Sequence, residues 1–142
     1  MLKIFKIVTP LLAFALVLSL TACRRNNVVS NTQLKFDHSA DQPANYRSVE
    51  TIYINEPIDE LVMNARLKIN SGSASVKVID SKTNVVVWGG KYNQGTNFKI
   101  KLPNLKAQSE YLVEVNAVQT KKMKLTLTSN EKLVKNKERP RK

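Results

Sequence analysis

The stretch "LVMNARLKI", residues 61–69, decides the fold class of this 142-residue chain. Apolar side chains occupy every second position, and a period of two is that of a β-strand with one buried face. The Glu, Leu, Met and Ala content of residues 58–69 would also suit a helix, but the strict alternation favours a strand. We therefore predict a long strand with one inward row, formed by Leu61, Met63, Ala65, Leu67 and Ile69.

Similar runs lie on both sides of this strand, separated by polar turns such as "NSGS" (residues 70–73) and "DSKTN" (residues 80–84). Several short alternating segments with turn signals between them are typical of antiparallel all-β domains. The sequence therefore predicts one all-β domain, an antiparallel β-sandwich or jelly roll of about seven strands. The other six predicted strands are residues 49–55, 74–78, 85–92, 98–102, 111–117 and 123–127.

The chain divides into four predicted segments. Residues 24–47 are rich in Asn, Ser, Asp and Gln and lack sustained periodicity, which is typical of a flexible linker. The predicted segments are a lipoprotein signal peptide (1–22), a lipidated N-terminus with a flexible linker (23–47), the sandwich domain (48–128) and a basic disordered tail (129–142).

The first 22 residues have the order of a secretory signal peptide. Lys3 and Lys6 precede an apolar run over residues 7–22, which ends in small residues. This run is shorter than the roughly 20 residues that span a bilayer comfortably. We therefore expect a cleaved signal peptide rather than a permanent membrane-spanning helix.

The sequence "LTAC", formed by Leu20, Thr21, Ala22 and Cys23, resembles the lipobox of bacterial lipoproteins. The resemblance implies that the Cys23 thiol receives a diacylglyceryl group and that the chain is cut before Cys23. The new amino terminus can then be acylated, with palmitate as an expected lipid. Cys23 is the chain's single cysteine, so no intramolecular disulfide competes for its thiol. Two acyl chains give stable anchoring where one chain binds only marginally.

This anchor predicts a place in the cell. The protein is expected on the extracytoplasmic side of the cell membrane, held through the lipid on Cys23. The Lys-rich and Asn-rich composition favours a Gram-positive host. In a Gram-negative host, Arg24 after the lipidated cysteine would favour the outer membrane.

Positive charge is concentrated at the C-terminus of a chain whose formal net charge is +12. We expect this tail to attract anionic lipid or wall polymers, an effect that salt would screen. The alternative is a solvated tail without a partner, and nucleic acid is not expected outside the cytoplasm. The residues predicted for anionic contact are Lys132, Lys135, Lys137, Arg139, Arg141 and Lys142.

Few residues suggest catalysis. His38 is the chain's single histidine and lies in the predicted linker, where it could not hold a nucleophile in place. No G-x-S-x-G motif or Gly-rich phosphate loop is present in the sequence. We predict no enzyme activity, no metal site and no cofactor.

Two aromatic residues are candidates for ligand binding. Trp88 and Tyr92 share strand parity, so both rings can stand on one face of the sheet, where a sugar ring could stack on them. The alternative is that Trp88 belongs to the core or to the sheet edge.

The order of strand motifs carries a second resemblance. The segments "INSGSASVKVID", "VVVWGGKY", "FKIKLPNLKAQSEYLVEVNA" and "KLTLT" are similar to small β-sandwich modules of secreted bacterial proteins. These modules include pre-peptidase C-terminal domains and short Gram-positive lipoproteins. The resemblance implies a fold and a secreted context but no reaction.

Together these features predict an anchored extracytoplasmic lipoprotein whose β-sandwich is a non-catalytic binding or interaction module. One alternative is a lipoprotein that binds carbohydrate or a cell-wall polymer. Another is an exclusion or immunity lipoprotein that contacts a protein partner at the cell surface. The glycan or protein partner is not identified by the sequence.

Overall fold

A computed structural model describes residues 32–135 of the chain. Every strand pairing in this part is antiparallel, which confirms the predicted all-β fold. None of these residues belongs to a helix that could cross a membrane. The strands are β1 (Gln33–Ile54), β2 (Ile58–Ile69), β3 (Ser73–Asp80), β4 (Val86–Tyr92), β5 (Thr96–Leu105), β6 (Ser109–Ser129) and β7 (Val134–Lys135).

The two longest strands, β1 and β6, organise the whole molecule. They pair from Gln33 opposite Thr128 to Ile54 opposite Ser109, and their ladder is interrupted between Ser39 and Tyr46. This interruption is a β-bulge or similar irregularity of register, and such irregularities bend a strand. The sheet therefore divides into a first layer, β5-β2-β6-β1, and a second layer, β4-β3-β6-β1-β7.

Both layers turn their apolar rows toward one core. The row predicted from residues 61–69 is inward, with four of its members buried and Ile69 half-buried at the margin. Strand β2 is thus confirmed, and the helical alternative is wrong. The largest fully buried side chains are Phe36, Ile52, Ile54, Leu61, Met63, Ile100, Leu102, Leu125, Leu127, Val76, Val78 and Val113.

The bend of β6 is held by the turn between β2 and β3. Thr120 is fully buried, and its hydroxyl lies 3.1 Å from the carbonyl oxygen of Ser71 in that turn. The side-chain oxygen of Asn70 accepts a hydrogen bond of 3.0 Å from the Lys122 backbone. Gly72 has a φ of 71°, and a Cβ there would overlap the carbonyl oxygens of Val118 and Gln119. The turn therefore fits only with glycine at this position.

The predicted linker is wrong from residue 33 onward, because residues 33–47 belong to β1 and the folded domain does not begin at residue 48. Leu34 and Phe36 are buried, whereas Lys35 and Asp37 are exposed, so a short alternation does exist within this polar segment. β6 pairs with β1 along its length except between Ser39 and Tyr46, where only Ala44 has a partner. This pairing explains why a segment with so few apolar residues forms a strand.

The end of the domain also differs from the prediction. The predicted strands at residues 111–117 and 123–127 are one strand, β6, because residues 118–122 form a bend and not a turn. The predicted disordered tail is wrong for residues 129–135. Leu133 is buried, and Val134 and Lys135 form β7 opposite Tyr53 and Ile52.

The segment after β6 joins the two layers at the end opposite the bend. The Asn130 backbone N–H donates a hydrogen bond to the carbonyl oxygen of Val62 in the first layer, and the Val62 N–H donates one to the Asn130 side-chain oxygen. Both N···O distances are 2.9 Å. The Leu133 backbone donates a 2.6 Å hydrogen bond to the Thr32 hydroxyl, just before β7 reaches the second layer. The start and the end of the domain are therefore fixed together.

Candidate functional site

Several predicted site residues lie outside the described residues. They are Leu20, Thr21, Ala22 and Cys23 of the lipobox and Lys137, Arg139, Arg141 and Lys142 of the basic tail. Two other tail residues are described in part. Lys132 is exposed, and the backbone of Lys135 pairs with Ile52 in β7.

Trp88 and Tyr92 lie on the inward face of β4. Trp88 is opposite Val78 and Tyr92 is opposite Ala74, both of which are buried, and directly opposed residues point to the same side of a sheet. Phe98 of β5 lies opposite the buried Ala65, so it also faces inward. The predicted shared parity of Trp88 and Tyr92 is confirmed, but the shared face is the core face.

These three rings form an aromatic seam between β4 and β5, the free edges of the nearly closed sheet. The centroid of Phe98 lies 4.3 Å from that of Tyr92 and 5.7 Å from that of Trp88, with nearly parallel planes. A Cβ at Gly90 would lie 2.5 Å from the Tyr92 hydroxyl, so the glycine leaves the space that the rings fill. Burial raises the pKa of Tyr92. The rings thus stack on each other along an edge, which fits the sheet-edge alternative better than an open sugar platform.

His38 is not in a mobile linker but in β1, next to the bend. Its ring stacks on Tyr46 at a centroid distance of 5.0 Å, and its Nε2 lies 3.0 Å from the Thr120 carbonyl oxygen. These contacts give His38 a packing role where β1 and β6 bend together. Within residues 32–135, no group of three or more His, Cys, Asp or Glu side chains could hold a metal ion.

The outer face of the first layer carries a cluster of positive charge, which we call the cationic face. Its strand register places Lys35, Thr126, Arg66 and Asn97 in one row across β1, β6, β2 and β5. Neighbouring rows add three more cations. The cationic face consists of Lys35, Arg66, Lys68, Lys99 and Lys124, all of them exposed.

These five cations line a shallow groove of about 650 Å³. No carboxylate is among the residues that line this groove, but Asp37 lies directly opposite Lys124 in the β1–β6 ladder, at the edge of the cluster. The other polar lining side chains offer hydrogen bonds between the charges, and they are Gln33, Asn64, Asn97, Thr126 and Thr128. The groove is therefore positive throughout and able to donate hydrogen bonds.

The charges of the cationic face are not paired in salt bridges within the described domain. No salt bridge joins any of the five cations to a carboxylate of residues 32–135. Lys124 lies directly opposite Lys68 in the β2–β6 ladder and directly opposite Asp37 in the β1–β6 ladder. Like charges at directly opposed positions destabilise an antiparallel pair, and opposite charges stabilise it. Even with Asp37 beside Lys124, the face carries an excess of positive charge, which an anionic partner would offset.

The outer face of the second layer is different, and we call it the mixed face. Arg47 donates a 2.7 Å hydrogen bond to Glu114, whose other carboxylate oxygen accepts one of 2.8 Å from Asn116. The hydrogen bond from Arg47 lowers the pKa of Glu114, although partial burial opposes this effect. Leu112, Ile79 and Val86 lie opposite one another in register and form an apolar row. Paired charges and apolar groups therefore share this surface.

The sequence predicts candidate residues for anionic contact in the tail but does not predict the cationic face. The signal was present as lysine and arginine at the outward positions of alternating strands, such as Arg66, Lys68 and Lys99. These positions meet only because β2 lies between β5 and β6, and because β1 continues back to residue 33. Neither fact follows from alternation alone.

A search of curated proteins found no match. A family described as "Domain of unknown function (DUF4624)" matches residues 22–141, which include the whole described domain. The chain therefore belongs to the DUF4624 family.

Proposed function

We propose that this protein is a lipoprotein, tethered through Cys23 to the extracytoplasmic side of the cell membrane, whose β-sandwich binds anionic material of the cell envelope without catalysis. The "LTAC" sequence supports the tether.

The observation that carries the binding role is the excess of positive charge on the cationic face. Five exposed cations line one groove that holds no carboxylate, and Asp37 lies opposite only one of them, Lys124. A positively charged surface of this kind attracts polyanions at long range, and the attraction falls as salt rises. Recognition of charge by side chains on a sheet needs no reacting group.

A fragment of residues 24–142 is suited to test this role, because every buried core residue that the structure describes lies between Leu34 and Leu133. The experiment measures retention of this fragment on a phosphorylated matrix and on a neutral matrix as salt is raised. We expect retention only on the anionic matrix, with loss at high salt. Equal retention on both matrices, or none on either, would contradict the binding role.

The tether has a separate test. Full-length protein is expressed in a bacterial host with a labelled fatty acid, beside a Cys23→Ser variant. We expect the labelled fatty acid to be incorporated into the wild-type protein only. We also expect only the wild-type protein in the membrane fraction. Equal membrane association of the variant would contradict the lipid anchor.

The mixed face supports a second candidate, contact with a protein partner at the cell surface. Val85, Val86 and Val87 are 57%, 50% and 45% exposed, and Val86 continues the apolar row of the mixed face. Protein interfaces combine such apolar groups with paired polar ones. A Val85→Ser, Val87→Ser variant that lost a phenotype of partner exclusion but kept its fold and its anionic binding would favour this candidate.

A further inference from the structure

The cationic face lies where the tether enters the domain. Thr32 is held in place by two further hydrogen bonds, one from its backbone N–H to the Ser129 hydroxyl (3.2 Å) and one from the Ser129 N–H to its carbonyl oxygen (2.9 Å). The next residue, Gln33, lines the cationic groove, and Lys35 follows two positions later. The domain is therefore attached to its lipid from the same end of β1 that contributes to the groove.

The tether is also short. Only the nine residues 24–32 separate Cys23 from β1. Even a fully extended chain of this length spans no more than about 30 Å. The domain therefore stays close to the bilayer, and the point at which it is held is beside its most positive surface.

We infer that the cationic face docks onto the anionic head groups of the bilayer that holds the tether, so that the domain lies with its first layer against the membrane and its mixed face outward. This inference rests on the proposed function and names the partner of the same surface. A lipid chain and a basic patch are the two signals that together give stable membrane binding.

The shape and chemistry of the face fit a bilayer surface. The cations are spread over four neighbouring strands, a width of about 15 Å at the usual strand spacing. They are thus distributed over an area rather than gathered around one small anion. Their position beside the tether has a reason if the partner is the membrane, whereas a wall polymer could bind equally well on a face remote from the lipid.

The docked orientation gives the two faces different surroundings. The paired charges and the apolar row of the mixed face point away from the head groups, so Val85, Val86 and Val87 remain available to other molecules. Lys77 and Lys91 also lie on the second layer, where Lys77 is opposite Glu114. These two lysines therefore serve as internal controls for the lysines of the cationic face.

The single cysteine allows the natural attachment point to be reproduced. Residues 23–142 are coupled through the Cys23 thiol to a maleimide lipid in vesicles of phosphatidylcholine, with or without phosphatidylglycerol. Lysine acetylation is then followed by mass spectrometry at low and high salt. We expect Lys35, Lys68, Lys99 and Lys124 to react on the order of tenfold more slowly on anionic than on neutral vesicles at low salt. Lys77 and Lys91 should react equally on both.

Two matched variants complete the test. In K35Q/R66Q/K124Q the protection of Lys68 and Lys99 should disappear, whereas K77Q/K82Q/K91Q, with the same net charge, should keep it. Equal reaction of both faces on anionic vesicles, or protection of Lys77 and Lys91, would overturn the docked orientation. Stronger protection by soluble polyphosphate on neutral vesicles than by anionic lipid would assign the face to a polymer and overturn it too.

Failure of this inference is distinguishable from failure of the proposed function. If untethered residues 24–142 bind the phosphorylated matrix but the tethered face is not protected on anionic vesicles, the binding role stands and the membrane orientation is wrong. If the untethered fragment does not bind the matrix, the binding role itself is wrong.

Discussion

The cationic face and the mixed face are built from the same two long strands, yet their charges are arranged in opposite ways. On the mixed face, Glu114 lies between Arg47 and Lys77, so opposite charges are neighbours. On the cationic face, Lys124 lies between Asp37 and Lys68, and the other four cations have no carboxylate directly opposite them. The two faces of one sheet therefore differ in how far their positive charge is balanced.

The difference begins at the bend near Thr120. Before it, β6 contributes Glu114 and Asn116 to the mixed face, and after it the same strand contributes Lys124 to the cationic face. One continuous strand thus supplies two surfaces with unlike chemistry. Loss of the bend would join the cationic face and the mixed face into one surface. Removal of single charged side chains would make the charge patterns of the two faces more similar.

The largest expected effect comes from breaking the turn that holds the bend. In a Gly72→Ala variant the new Cβ meets two carbonyl oxygens in a left-handed backbone conformation. We expect the free energy of unfolding to fall by about 3 kcal/mol or more, measured by urea denaturation. Gly89→Ala, whose Cβ has ordinary space around it, is the control and should change stability little. Equal effects of both substitutions would contradict the role of the turn.

The next largest effect concerns the seam that closes the edges of the two layers. Phe98→Ala removes a half-buried ring that stacks on Trp88 and Tyr92, and it should lower the free energy of unfolding by about 2 kcal/mol. A double-mutant cycle of Trp88→Ala with Phe98→Ala should give a coupling of about 1 kcal/mol. If a Trp88→Ala variant kept its stability but lost binding to a glycan, the stabilising role of the aromatic seam would be contradicted. The interpretation of Trp88 and Tyr92 as a platform for a sugar ring would then be favoured.

A single charge on the cationic face should have a smaller effect, on binding rather than stability. Arg66→Gln removes one of the two cations of the row formed by Lys35, Thr126, Arg66 and Asn97, and we expect roughly fivefold weaker binding to an anionic matrix, or about 1 kcal/mol. The matched change Lys91→Gln on the second layer should leave binding almost unchanged. If the two variants bind equally, the contrast between the faces has no functional meaning.

The smallest expected effect concerns the paired charges of the mixed face. The pKa of Glu114 in the folded protein lies below its ordinary value of 4.5, so its ion pair stabilises the fold above that pH and is lost as pH falls through the folded pKa. Glu114→Gln should cost less than about 1 kcal/mol at neutral pH, because the Arg47 side chain is 66% exposed. Urea denaturation below pH 4.5 should show a smaller difference from wild type. A difference that grows on acidification would contradict the assigned pKa direction.

Much of the core could be predicted from the sequence, because burial on one side of a strand leaves a period-two pattern. Rows such as Tyr111, Val113, Val115 and Ala117 are buried as predicted. The first half of β1 could not be predicted, since only Leu34 and Phe36 mark its inward row and its partner strand is far away in sequence. The bend of β6 resembles a turn in the sequence, because the local polarity of residues 118–122 does not distinguish a bend within a strand from a turn between two strands.

The candidate site was less predictable than the core. Trp88 and Tyr92 do share a face, but alternation cannot say whether that face is the core or the outside until β3 is placed beside β4. The cationic face depends on the order of four strands, and strand order is a long-range property. Residues that act together across a sheet are therefore less visible in the sequence than residues that act along a strand.

The most direct test of the central claim compares two variants of residues 24–142 that differ only in which face loses its charge. K35Q/R66Q/K124Q and K77Q/K82Q/K91Q each lose three positive charges, and their binding to anionic vesicles is measured at low salt. We predict roughly 100-fold weaker binding for the first variant and a small change for the second, with both folds intact by circular dichroism. Equal losses in both variants would show that net charge alone determines binding, and would contradict the distinct role of the cationic face.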